Sequence, residues 1–259
     1  MLGFATLLSL FCVLGGALSF RFGLLPFGLS FTTYGLGLLA CGLLTLTLGA
    51  LIARRLARKQ DLAKLPLYLL LCAAPVAVVV NQVGPAGFQR PAIHDISTDL
   101  LQPPVFVFAQ AERGAGENSL QHGGQALAEQ QRQGYPHLAA LHLSATRADV
   151  WTAAQAVIAN NNWRLLGEDK SRGHIEAAAT TPLMGFTDDM VIRISAAPVS
   201  AKASENKIIV DVGARKNPPA KERLIVDVRS VSRVGVSDLG ANAARIEGFL
   251  KDVQKRLNN

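Results

Sequence analysis

Cysteine is scarce in this chain, aromatic residues are few, and the first third holds almost no acid. Three cysteines in 259 residues, Cys12, Cys41 and Cys72, exclude a disulfide scaffold and supply no C-x-x-C metal or redox pair. Five scattered histidines give no zinc-ligand spacing. No P-loop and no H-E-x-x-H motif occurs. Gly235-Val236-Ser237-Asp238-Leu239 lacks the second glycine of a nucleophile elbow. Gly35-Leu36-Gly37 lies within an apolar run and is no dinucleotide loop. No metal or cofactor is therefore expected. The formal charge of +7 points to nucleic acid only until it is divided. Residues 1–83 hold six Lys/Arg and one acid, a net +5, whereas residues 84–259 hold 20 and 18, a net +2. That near-neutral remainder argues against a nucleic-acid partner.

Long apolar runs take the place of those motifs. Arg21 is the sole charge from Met1 to Ala53. A bilayer-spanning helix needs about 20 mostly apolar residues. Residues 2–20, 33–53 and 65–83 meet that need. Arg21–Thr32, with Gly23, Pro26 and Gly28, reads as a hairpin loop. Pro66 suits the first turn of the third helix, and Pro75 is expected to kink it. The first run lacks the positive flank and A-x-A site of a cleaved signal peptide, so it reads as a retained anchor. Arg54, Arg55, Arg58, Lys59 and Lys64 place the second loop in the cytoplasm by the positive-inside rule. The expectation is a multi-pass bacterial inner-membrane protein with a cytoplasmic N-terminus and a periplasmic C-terminal region. Gly37, Cys41, Thr45 and Gly49 form a stripe of small residues on the second span. It suits packing against the chain's own helices or self-association.

Residues 84–135 read as an extended Gly/Pro/Gln-rich linker or a segment wrapped on a neighbouring surface. Short ordered pieces are expected at Pro104–Phe108 and Ala126–Arg132. His94 beside Asp95 and Asp99 has no fixed ligand geometry and reads as a turn. Residues 136–259 read as a soluble domain with strands at 138–143, 163–168, 174–181, 188–196, 207–214 and 223–232. A helix follows Thr146, whose N-cap role is supported by Asp149. Another runs from an Asp238 N-cap to Leu257. Short turns imply antiparallel pairing. The expected fold is α+β: three transmembrane helices, then a two-layer extracytoplasmic domain whose meander sheet is covered by two helices. Strand alternation places Asp189, Arg193, Asp211, Asp227 and Arg229 on the face away from the helices. They read either as a solvated ladder or as a groove for a polar ligand or partner.

The stretch from Arg229 to Ile246, RSVSRVGVSDLGANAARI, resembles the signature of the domain of unknown function 1499 family. Tyr135-Pro136, Trp163 and Gly185 to Arg193 (GFTDDMVIR) resemble it too, as does the segment from Ile93 to Val105. The resemblance covers about residues 92–257. Where the family pattern has Tyr-Pro-Asp, this chain has His137 in third place. The resemblance implies no catalytic residues.

Chemically, Arg229, Arg233 and Arg245 near a helix start could hold an anion. The other reading is an Arg–Asp and Asn242 network that locks the last strand to the last helix. The candidate binding set is Arg229, Ser230, Arg233, Gly235, Ser237, Asp238, Asn242, Arg245, Asp188, Asp189 and Arg193. The expected role is a binding module for a lipid, a small anion or an envelope protein. A hydrolase using Asp188, Asp189, Arg229 and Asp238, or a structural subunit of a membrane complex, are the alternatives. The first of these requires its four side chains to converge.

Overall fold

The computed structural model describes residues 1–198 and 221–258. The expected strand at 207–214, with Asp211, lies outside the described residues. Two compact units emerge: residues 1–90 with 181–186, and residues 91–180 with 187–259.

The first unit holds three helices, α1 (Leu2–Arg21), α2 (Phe27–Ala57) and α3 (Leu65–Gly87). All three contain stretches long and apolar enough to cross a membrane. The loop expected at Arg21–Thr32 is shorter, because α2 already begins at Phe27 after the extended backbone of Pro26. In an apolar segment, helix is the way to satisfy backbone polar groups, and this outweighs the weak propensity of Gly28. Pro75 lies inside α3. The non-helical residue inside α3 is Gly84, with φ 66° and ψ 166°, just before Pro85. Gly37 explains the close approach of α2 to α1: a Cβ there would lie 2.6 Å from the backbone nitrogen of Val13. Gly37 and buried Cys41 thus face the chain's own helices, whereas Gly49 has open space around it.

The second unit is built on an antiparallel sheet of six described strands. They are β1 (Asp95–Ser97), β2 (Leu141–Ala145), β3 (Arg164–Asp169), β4 (His174–Thr180), β5 (Thr187–Ala196) and β6 (Glu222–Ser232). The order is β1-β6-β5-β4-β3, and β2 also pairs with β6. β1 takes residues 229–231 of β6, and β2 takes residues 222–226. That pairing moves β2 to 141–145 from the expected 138–143. Three further helical elements are a 3-10 turn (Ala109–Glu112), α4 (Gly124–Gly134) and α5 (Arg147–Asn160). The last helix is α6 (Ala241–Leu257).

Helices α5 and α6 share one apolar core with the sheet, including Trp151, Val157, Met190, Ile192, Ile194, Val228, Ile246 and Phe249. Thr146 caps α5 by accepting the Asp149 amide at 3.1 Å. α6 starts two residues later than expected, with Gly240 rather than Asp238 at the N-cap position. Leu239 and Gly240 take left-handed φ values of 52° and 94°, which a right-handed helix cannot include. Asp238 still serves the helix end, accepting the amides of Gly240 at 2.9 Å and Asn242 at 2.8 Å.

The opposite face of the sheet is covered as well. Residues 98–120 cross it, and Phe106 and Ala109 bury themselves against Val191 and Val231. Gly167 makes room for this cover: a Cβ there would sit 2.4 Å from the Phe108 ring. The strand register shifts between Leu165 and Gly167. β5 is therefore buried continuously from Asp188 to Ile192 rather than on alternate residues. The segment read from sequence as a linker or as wrapped on a neighbouring surface thus supplies β1, α4 and one cover of the sheet.

Candidate functional site

Strand register sorts the charged residues. Asp189 lies opposite Val231, Val191 opposite Arg229, and Arg193 opposite Asp227. Glu176 on β4 lies opposite Val191. All these residues except the valines are charged, and all face the covering segment. Neither sequence-based reading of the ladder matches the result, for it is neither a solvated surface nor an open groove. Residues 98–120 close it.

Each charge under the cover is matched. Asp95 receives Arg229 through two hydrogen bonds of 2.8 Å. The same guanidinium donates to the carbonyls of Pro104 at 3.2 Å and Leu120 at 2.9 Å. Asp189 is fully buried and takes Arg113 at 2.7 Å and Arg233 at 2.8 Å. Arg193 bridges Asp99 at 2.8 Å and Asp227 at 2.9 Å. Glu176, also fully buried, accepts the consecutive amides of Val107, Phe108 and Ala109 at 2.5, 3.1 and 2.7 Å. The His174 ring lies 2.6 Å from the same carboxyl. Burial pushes the Glu176 carboxyl up, but His174 and the three amides outweigh it and hold it below its usual range. Burial likewise opposes Asp99, and the amides of Gln102 and Leu101 with Arg193 bring it below its usual value.

The α6 side carries a second network. Asn242 accepts from the Ser230 hydroxyl at 2.6 Å and donates to the Ser232 hydroxyl at 2.9 Å and the His94 carbonyl at 3.1 Å. Arg245 bonds the same amide oxygen at 2.7 Å and pairs with Asp188 at 2.6 Å. Strand β6, helix α6 and the start of β1 are tied together here. Burial raises the Asp238 carboxyl, and nearby Asp188 adds to the rise against the amides of Gly240 and Asn242. Gly235, at φ 89°, offers its carbonyl to Asn118 at 2.8 Å. The Ser237 hydroxyl accepts the Leu239 amide at 3.2 Å.

Apart from Gly235 and Ser237, which lie in the loop after β6, the candidate set divides in two. Asp189, Arg193, Arg229 and Arg233 lie under the cover. Asp188, Ser230, Asp238, Asn242 and Arg245 lie toward α6. The three arginines expected to converge do not, since Arg245 is on the other side of the sheet from Arg229 and Arg233. The hydrolase quartet is split likewise, with Asp189 and Arg229 on one face and Asp188 and Asp238 on the other. Near His94, Asp95 and Asp99 are committed to Arg229 and Arg193. Among the described residues, no group of three or more His, Cys, Asp or Glu could hold a metal ion.

Sequence reasoning passed over Glu176 and Arg113, and it read Asp95 as part of a turn. Glu176 did carry a signal: an acid inside the run His174–Thr180, whose residues Ile175 to Ala179 are all buried because both faces of the strand are covered. Sequence reasoning also passed over a groove of ≈ 620 Å³ between β2, α5 and the end of α6. Its lining includes His142, Asp149, Thr152, Lys221, Gln254 and Arg256, and none of the candidate set. A family model described as a protein of unknown function (DUF1499) matches residues 95–253. Among curated proteins, none matches the chain.

Proposed function

We propose a role that starts from one premise: the chain belongs to the DUF1499 family of proteins of unknown function. It is a membrane-anchored envelope protein of the bacterial inner membrane, and its second unit is a periplasmic interaction module. The three apolar helices supply the anchor. The basic connection between α2 and α3, with Arg54, Arg55, Arg58, Lys59 and Lys64, supports a cytoplasmic position for that loop.

One observation carries the interaction reading. Arg229, Arg233, Arg193 and Arg245 are each matched by a carboxylate of the chain itself. A small anion would have to displace a buried carboxylate from its guanidinium, which costs several kcal/mol. The charged residues serve better as the internal frame of a rigid platform. A lipid or an envelope protein, engaging the outer surface, is the partner that fits such a platform.

A reporter active only in the periplasm tests the location. Fused after Asn259 it is active, and fused after Lys59 it is silent. The reverse pattern overturns the orientation. Native mass spectrometry of the full-length chain released from nanodiscs tests the binding. Retained lipid or protein mass supports the module, and a bare chain contradicts it.

A further inference from the structure

The loop between β6 and α6 turns its side chains the opposite way from an ordinary loop tip. The acid points in: Asp238 binds the amides of Gly240 and Asn242. The apolar residues point out, with Val236 78% and Leu239 40% exposed. Leu239 also holds φ at 52°, a left-handed conformation that a leucine adopts only at a cost. An exposed, strained leucine adds little to the domain's own core. Its hydrophobic side chain is presented outward by a loop fixed at several points. Asn118 holds the Gly235 carbonyl, and the Asp238 amide donates to the Ile93 carbonyl at 3.1 Å.

That last bond locates the loop along the chain. Ile93 follows Pro85, where the membrane-crossing stretch of α3 ends, by eight residues. Eight residues span at most about 29 Å when fully extended. A loop bonded to Ile93 is thus tethered within about that distance of the end of a membrane-crossing helix. Ile93 is not paired at the opposite end of the sheet, for its bond goes to the loop after β6. Strand register places the β3–β4 turn there, since His174 pairs with Arg193 while Asp188 pairs with Ser232.

We propose that Val236 and Leu239 form a docking tip that inserts into the headgroup and upper acyl region of the phospholipid bilayer, close to the chain's own anchor. The proposal deepens the interaction reading by naming the bilayer as the partner of this loop. It does not depend on which side of the membrane the domain occupies. Two small apolar side chains give a weak contact on their own, and the covalent tether makes the encounter local.

The test uses the full-length chain in phosphatidylcholine/phosphatidylglycerol nanodiscs, with a benzophenone amino acid introduced singly at position 236, 239, 170 or 46. Lys170 lies exposed in the β3–β4 turn, and Leu46 is an exposed residue of α2. After illumination, phospholipid adducts are expected on the peptides carrying 236, 239 and 46, and none on the peptide carrying 170. Combining the probe at 236 with Leu239→Asp is expected to abolish its adduct without loss of tryptophan-reported folding. Adducts at 46 but not at 236 and 239 overturn the docking tip and leave the anchor intact. Absence of adducts at 46 overturns the membrane reading itself. Equal labelling at 236 and 170 shows unspecific contact and also overturns the tip.

Discussion

The two faces of the sheet are both buried, but by different chemistry. Toward α5 and α6 the sheet presents Met190, Ile192, Ile194 and Val228, and burial of apolar area holds the layers together. Toward residues 98–120 it presents Glu176, Asp189, Arg193, Asp227 and Arg229 around a small apolar patch. Hydrophobic contact is non-directional and tolerates exchange of similar volumes. Buried ion pairs are directional, and removing one partner strands the other. The first face sets how much stability the layers gain. The second sets how a nonperiodic segment must lie.

Volume-conserving substitutions expose this contrast most sharply. Asp189→Asn removes the buried anion that Arg113 and Arg233 share, leaving Arg233 only the longer pair with Glu112 at 3.8 Å, and is expected to cost about 3–5 kcal/mol. Ile192→Leu on the helix face should cost less than about 1.5 kcal/mol. Denaturation followed by tryptophan fluorescence reads both, because Trp151 and Trp163 lie in the second unit. Equal costs would remove the distinction between the faces.

Glu176→Gln comes next in size. It removes the charge that three amides and His174 share, for a loss of about 1.5–3 kcal/mol. Because the Glu176 carboxyl titrates below its usual range in the fold, its contribution is complete above the unfolded value near 4.5. It is lost as pH falls below that value through the folded one. Asp238 behaves oppositely. Its raised value favours the fold below about 3.8 and loses that advantage as pH rises through the folded value. Stability measured against pH should therefore show a shallower acid-side decline in Glu176→Gln, with Asp99 still contributing, and change in the opposite sense in Asp238→Asn. At the small end, Arg164→Ala breaks an exposed pair with Glu112 and should cost less than about 1 kcal/mol in the same denaturation experiment.

Sequence alone exposed one face far better than the other. The helix side follows period-2 and period-3.6 patterns, so Met190, Ile192, Ile194, Ile246 and Phe249 were readable as core. The Thr146 cap was readable from its spacing to Asp149. The three apolar runs stood out because length and composition suffice to mark them. The covered face lacks such a signal. Arg113, Phe106 and Phe108 sit in a segment with no periodicity, and their partners are more than 60 residues away. Alternation alone could place Asp189 and Arg229 on one face. It could not say that another segment lies over them. The two-residue delay of α6 turned on Leu239, a residue type with no preference for the left-handed region.

The central claim is that residues 98–120 close the charged face and that Glu176 fastens them there. Hydrogen exchange at the amides of Val107, Phe108 and Ala109, in the full-length chain in nanodiscs, tests it directly. Strong protection in the native protein, lost at these three amides in a folded Glu176→Gln variant, is the predicted result. Rapid exchange of all three in the native protein would mean that the face is open and that its charges are available to a ligand.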